Sequence, residues 1–278
     1  MPGANARALE KARGLDADVL IFDLEDAVAP ERKAEARALV MQALATGGYG
    51  PREIVLRVNE PGSRWFEEDV AAAVAARPDA VLLPKVEAPG TIIACAKALA
   101  GAPETRLWAM IETPRAILDV ARISACARDP ESRLDCLVLG VNDLAKETRA
   151  RFVPGRTPML AWLSNALLAA RADGLDILDG VFNGIGDAKG FAEECAQGRD
   201  LGFDGKTLVH PSQIETANRI FAPDEAEVAQ ARAIIAAFAR PDNAKAGVVA
   251  LDGRMVERLH ARIAERVVAL ADAIAARR

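Results

Sequence analysis

The sequence predicts an α/β chain, a (β/α)8 barrel of the TIM type with a small C-terminal helical extension. Short aliphatic runs alternate with longer stretches of helical period along most of the 278 residues, and nearly every run ends on charged or amide side chains. Continuous apolar runs suit strands covered on both faces, as in a parallel sheet. Repeated βα alternation then calls for right-handed crossovers. No GxGxxG or GxxxxGK[ST] pattern follows any run, so the usual phosphate-loop reason for an open doubly wound sheet is missing.

The runs follow in order. Residues 19–22 end in Asp23-Leu24-Glu25-Asp26, 54–56 in Arg57-Val58-Asn59, and 80–83 in Pro84-Lys85. Residues 107–111 end in Glu112-Thr113-Pro114, 137–139 in Gly140-Val141-Asn142-Asp143, 177–182 in Asn183, and 207–209 in His210-Pro211-Ser212-Gln213. Helical patterns over 30–44, 63–76, 89–99, 114–126, 158–172 and 188–201 separate them, several opening on proline, which suits a first helical turn. These runs are one short of a full barrel. Pro2-Gly3 stands where a first strand should be ending, so the register predicts a truncated first strand. The barrel domain is expected over 1–222 and a helical extension or lid over 223–278. The tail comprises helices at 214–221 and 224–238, a polar connector at 241–247, a short strand or turn at 248–253 and a last helix at 255–276.

Composition excludes several classes. A net charge of −5 argues against non-specific nucleic-acid binding, which needs a basic face to release phosphate counterions. With 51% apolar and 27% charged residues the chain is not disordered, and its 4% aromatic content means a core of Ala, Val, Leu and Ile. No apolar run approaches the ~20 residues of a membrane span, and no targeting segment is visible. Cys95, Cys126, Cys136 and Cys195 lie far apart with no CxxC, and there are 2 His in all, so zinc and disulfide frameworks are disfavoured and a reducing cytoplasm fits.

In a barrel the strand C-termini form the active face. One charge at a strand end is ordinary, but charges repeated from strand to strand suggest a site assembled from several of them. Glu112 and Asp143, with Glu25 or Asp26 behind them and without Cys or clustered His, suit a hard cation, Mg2+ or Mn2+. Arg57 fits as a planar fork for a carboxylate. A Lewis-acid site of this kind points to carbon–carbon chemistry on a 2-oxo or hydroxy acid. Asp23 reads as a brace of the barrel rim, Lys85 as a partner of Glu87 or a neighbouring carboxylate, His210 as a strand-end cap or general base, and Cys136 as core.

At these residues the chain resembles the citrate lyase beta-subunit family, the CitE-like branch of the HpcH/HpaI aldolases, which includes malyl-CoA and citramalyl-CoA lyases. The matching stretches are Pro2-Gly3-Ala4-Asn5 with Arg7 and Lys11, Asp23 to Val28, Arg57-Val58-Asn59, Leu83 to Glu87, Ile111 to Pro114, Gly140 to Leu144 and Gly205 to Gln213. The resemblance implies a barrel that cleaves or forms a 3-hydroxyacyl-CoA thioester with Mg2+, giving acetyl-CoA and a 2-oxo acid. It implies Glu112 and Asp143 as metal ligands, Arg57 as substrate-carboxylate binder, Glu25 and Asp26 as acids holding metal-bound water, and Arg7 and Lys11 as contacts to coenzyme A phosphates. It further implies a homo-oligomer, a trimer or dimer of trimers. The lyases of the family draw a catalytic Asp from a Gly-x-Met-[Val/Ile]-Asp segment of a neighbouring subunit. Here that segment reads Gly253-Arg254-Met255-Val256-Glu257, which makes Glu257 the corresponding acid or base. An aldolase on free hydroxy-oxo acids, a malyl-CoA thioesterase and a non-catalytic barrel subunit are the alternatives.

Overall fold

The aliphatic runs become seven parallel strands that pair in chain order: β1 (Val19–Asp23), β2 (Glu53–Arg57), β3 (Ala80–Leu83), β4 (Arg106–Ile111), β5 (Leu134–Leu139), β6 (Asp176–Asp179) and β7 (Gly205–Lys206). The computed structural model describes residues 1–243, 246–251 and 253–277, in two units, Met1–Ala217 and Asn218–Arg278. Helices alternate with the strands: α1 (Ala6–Lys11), α2 (Lys33–Thr46), α3 (Phe66–Ala76), α4 (Pro89–Ala98), α5 (Pro114–Ser124), α6 (Val141–Thr148), α7 (Leu160–Ala172), α8 (Ala188–Leu201) and α9 (Ile214–Phe221). No described helix is long and apolar enough to cross a membrane.

One parity of the sheet forms a single apolar cluster. Val55, Ala80, Leu82, Trp108, Met110, Cys136 and Val138 pack together, with Val19, Ile21 and Leu178 against them. Side chains alternate faces along a strand, so the same parity runs on to Asp23 after Ile21, Arg57 after Val55, Glu112 after Met110 and Gly140 after Val138. The other parity, with Phe22, Leu56, Leu83, Ile111, Leu137 and Leu139, is also fully buried. Two buried faces explain why the strands read as unbroken apolar runs.

The described sheet has seven strands, as many as the aliphatic runs. Residues 1–3 lie along the free edge of β1: Gly3 N–H donates to Asp23 O and Asp23 N–H to Met1 O, each at 2.9 Å. A side chain at Gly3 would put Cβ 2.7 Å from Asp23 O, so the close approach needs glycine. Two local expectations are corrected. The last strand of the sheet is Gly205–Lys206 rather than 207–209, because Lys206 Nζ is drawn inward to Asp179 (3.0 Å) and Glu194 (2.8 Å). The strand-end residues Val141-Asn142-Asp143 open helix α6 (Val141–Thr148), which has no counterpart among the predicted helices and buries Leu144 and Ala145.

The second unit contains α10 (Glu225–Ala239), a β-hairpin of β8 (Val248–Leu251) and β9 (Arg254–Glu257), and α11 (Arg258–Arg277). The predicted last helix begins three residues late in the structure: 255–257 are strand, since Val256 pairs with Val249 and both join Ala237, Phe238 and Ala261 in a small core. Asp252, within the predicted strand or turn at 248–253, and Ala244 and Lys245, within the predicted connector, lie outside the described residues.

Candidate active site

The parity that fills the interior with methyl groups delivers ionisable groups where the strands end. Asp23 and Arg57 are in register on neighbouring strands. Arg57 Nε donates to Asp23 Oδ1 at 2.8 Å and Nη2 to Oδ2 at 2.5 Å, a bidentate pair with both side chains largely buried. The third edge of the guanidinium turns to Glu25, Nη1 to Oε2 at 3.0 Å. Burial opposes the charge on Asp23, but hydrogen bonds and charge from Arg57 outweigh it and hold the carboxyl below its ordinary value. Burial likewise opposes the guanidinium, and Asp23 and Glu25 more than compensate. The planar fork expected to meet a substrate carboxylate also pairs with Asp23, which fixes its plane. Asp23 had been read as a rim brace; its signal in the sequence was the strand parity it shares with Ile21.

Glu112 leaves the end of β4 on the same face and is 3% exposed. Its Oε1 accepts the Lys85 backbone N–H at 2.7 Å, and among the described residues no hydrogen bond reaches Oε2. Lys85 can aim its N–H inward because it adopts φ +49°, a left-handed conformation that costs a non-glycine residue ~1 kcal/mol. Burial, with smaller contributions from Glu25 and Asp143, pushes the Glu112 carboxyl up to about 7. The space for this side chain depends on Gly140: a Cβ there would lie 2.5 Å from Glu112 Oε2 and nearer still to its Cβ. Gly140→Ala is expected to destabilise the protein by ~1–3 kcal/mol through overpacking. Because the carboxylate must also move, turnover should fall ~10²-fold; thermal melts and kinetics on one preparation check both.

Glu25, buried, lies between Arg57 and Lys85, whose Nζ is 3.9 Å from Oε1. Burial raises its pKa against the pull of Arg57. Its loop is held from behind by Lys33, a buried lysine whose Nζ donates to Leu24 O (2.9 Å) and Glu25 O (2.8 Å). Exposed Asp26 follows on this loop, and its N–H donates to Glu25 Oε2 at 3.0 Å. Asp143, half-buried in the first turn of α6, is near enough to raise Glu112 by charge. Its neighbour Asn142 exchanges amide hydrogen bonds with Asn183 beyond β6, at 2.7 and 3.4 Å.

Acids therefore outnumber Arg57, Lys33 and Lys85 at these strand ends. An excess of carboxylates at these strand ends, with Glu112 Oε2 accepting no hydrogen bond among the described residues, is what a hard divalent cation neutralises. Among the described residues no three His, Cys, Asp or Glu side chains stand together as a finished cage. Mg2+ does not require one, since it keeps several waters and uses one or two carboxylates. The residues fit the ion.

The other expected residues lie apart from this cluster or carry local tasks. Arg7 and Lys11 are exposed on α1. His210 is exposed and caps the turn Pro211–Gln213, its Nδ1 accepting Ser212 N–H at 3.2 Å. Lys85 pairs with Glu60 and Glu25, while Glu87 accepts from Thr113 Oγ1. Glu257 ends β9 in the second unit, where its N–H donates to His260 Nδ1 at 2.9 Å.

Comparison with known proteins follows the same lines. The sequence model of the HpcH/HpaI aldolase/citrate lyase family matches residues 1–211. A (3S)-malyl-CoA thioesterase of Cereibacter sphaeroides is 48% identical over 276 residues, 99% of this chain and 94% of that protein. The citrate lyase subunit beta of Leuconostoc mesenteroides subsp. cremoris is 34% identical, covering 98% and 92%. Among solved structures, CitE from Mycobacterium tuberculosis in complex with magnesium, acetoacetate and coenzyme A superposes with a TM-score of 0.79 at 30% identity, covering 98% of this chain and 96% of that one. With a family model matching most of its length and a relative 48% identical from end to end, the chain belongs to the HpcH/HpaI aldolase/citrate lyase family.

Proposed function

We propose that the chain is a Mg2+-dependent hydrolase of a hydroxy-dicarboxylic acyl-CoA thioester, in the first instance (3S)-malyl-CoA. The observation that carries this is the 48% identity, end to end, to proteins named (3S)-malyl-CoA thioesterase, against 34% to the Leuconostoc citrate lyase beta subunit. It corrects the expectation of a carbon–carbon lyase: the family is as expected, but the relatives at 48% identity are thioesterases by name. Coenzyme A and magnesium come to the proposal from the CitE complex. On the same likeness we take the curled sheet as part of a (β/α)8-type barrel, the chain as a cytoplasmic homo-oligomer, and 223–278 as its extension.

Glu112 and Asp143 would hold Mg2+ (or Mn2+), with Glu25 and Asp26 orienting its water. When bound, the ion supplies Lewis acidity that polarises the oxygens of the hydroxy-carboxylate end of the substrate. Arg57, locked in plane by Asp23, is assigned to the carboxylate of the substrate. Arg7 and Lys11 are assigned to the phosphates of coenzyme A. In the reaction a water oxygen bonds to the thioester carbon, the C–S bond breaks, and the proton lost by water leaves on the coenzyme A thiol. We assign removal of that proton to the partner subunit's Glu257, whose carboxylate has no hydrogen-bond partner among the described residues.

Incubation with Mg2+ and (3S)-malyl-CoA tests the reading. Free thiol and malate are expected in equal amounts, and Glu257→Gln should slow their release ~10²-fold, within the range of general-base effects. Acetyl-CoA and glyoxylate in place of malate, or no thiol release at all, would overturn it.

A further inference from the structure

A second buried group of charges stands at the ends of β6 and β7, and the proposed reaction uses none of it. Asp179, the last residue of β6, is fully buried and meets two cations. Arg156 Nη1, also buried, lies 2.7 and 2.9 Å from its two oxygens, and Lys206 Nζ, on β7, lies 3.0 Å from Oδ2. Lys206 donates as well to Glu194 Oε1 on α8, at 2.8 Å. Two cations thus meet two carboxylates, and the charges balance. Burying such a set is costly, and apolar residues of similar volume are often as stable. Its role therefore lies in what it holds in place.

It holds the Gly180 peptide. Gly180 N–H donates to Asp179 Oδ1 at 2.8 Å, and Gly180 O accepts from Lys206 Nζ. The chain is thereby kept hard against the end of β5: a side chain at Gly180 would put Cβ 2.8 Å from Leu139 O and 2.6 Å from Val141 Cγ1, so only glycine allows the approach. Val141 is the first residue of α6, two before Asp143. Three residues past Gly180, Asn183 reaches the same turn and donates to Asn142 Oδ1 at 2.7 Å. The segment 180–183 thus grips the two residues that precede Asp143. α6 has no side-chain cap of its own at Gly140, so nothing local fixes that first turn in its place.

We propose that Asp179, Lys206 and Asn183 are positioning residues for Asp143. The buried charges fix Gly180, and Gly180 and Asn183 fix the turn that presents the Asp143 carboxylate. This rests on the assignment of Asp143 to Mg2+ in the proposed function and names what sets that ligand in place.

The test is titration calorimetry of Mg2+ on the whole protein, set beside thermal melts of the same preparations. Asn183→Ala removes the bond to Asn142 at an exposed position, so its melting temperature should match the wild type. Its Mg2+ dissociation constant should nonetheless rise about tenfold, the lower end of the range for residues that orient a metal ligand. Lys206→Met releases Gly180 O and should both melt lower and bind Mg2+ at least about tenfold more weakly. If it does not fold, Asn183→Ala decides alone. Ser124→Ala removes a 2.7 Å hydrogen bond to Asp173 at the C-terminal end of α5 and is the control, expected to melt lower with Mg2+ affinity unchanged. Unchanged affinity in Asn183→Ala, or as large a loss in Ser124→Ala as in Lys206→Met, would overturn the assignment. Amide exchange of the metal-free protein separates this from the parent reading. If the wild type binds no Mg2+, the metal assignment falls. The positioning then stands if Leu144 N–H, bonded to Gly140 O at 3.2 Å, exchanges faster in Asn183→Ala, and falls if its exchange is unchanged.

Discussion

Glu112→Gln is expected to lower turnover by ~10³-fold or more, the scale of losing a group that stabilises transition-state charge, and at the same time to raise the melting temperature of the metal-free protein above pH 7. The amide keeps an acceptor for Lys85 N–H but cannot ligate a cation by charge. The stability gain follows from the raised pKa. A carboxyl near 7 when folded and 4.5 when unfolded is neutral in both states at low pH, and folding loses free energy as pH rises between the two values. Above pH 7 the deficit is on the order of 3 kcal/mol, from about 1.4 kcal/mol per pKa unit, and Gln removes it. The same carboxyl must ionise to take Mg2+, so affinity in the wild type should be about tenfold weaker at pH 6 than at pH 8 by linkage. Titration calorimetry and differential scanning at several pH values measure all three. A metal-free Glu112→Gln protein that melts below the wild type at pH 8 would contradict the account.

Asp23→Ala should be the most destabilising single change at the site, ~3–5 kcal/mol, because it strands the buried Arg57 charge. It also removes the acceptor for Glu25 N–H (2.8 Å) and Ala27 N–H (3.2 Å), so the loop that carries Glu25 and Asp26 loses its form. Asp23 is depressed in the folded state, so its contribution is complete above the ordinary value of 3.8 and disappears as pH falls through the lower folded value. The variant and wild type should then converge in stability at acid pH. In a double cycle with Arg57→Leu, Asp23→Ala should cost much less on the Leu background, since no guanidinium remains to be stranded. Additive losses would show that Asp23 acts through the loop and not through Arg57.

Much of this site was legible in linear order. Glu112, Asp143, Glu25, Asp26 and Arg57 each follow an aliphatic run, and a parallel sheet brings such positions to one end. The structure joins Glu25, Arg57 and Glu112 through Lys85 and one another. What linear order could not convey was which groups satisfy which. That Arg57 is braced by Asp23, one strand away, is not visible in linear order. Lys85 reads as a partner of Glu87 or a neighbouring carboxylate; linear order could not choose between them, and the ammonium reaches Glu60 and Glu25. Gly140 carried no signal of its own, since its role is the space it leaves for a side chain on β4.

By itself the sequence determined the α/β class, the parallel order of the strands, the family and the acidic, oxygen-donor character of the site. These depend on periodicity and on residue type at strand ends, both local properties of a chain whose strands are buried on two faces. Only the tertiary structure decided the charge partners and the elevated pKa of Glu112. Those depend on desolvation and on distances of a few ångströms between residues far apart in the chain, and electrostatic energy in a low-dielectric interior varies steeply with both.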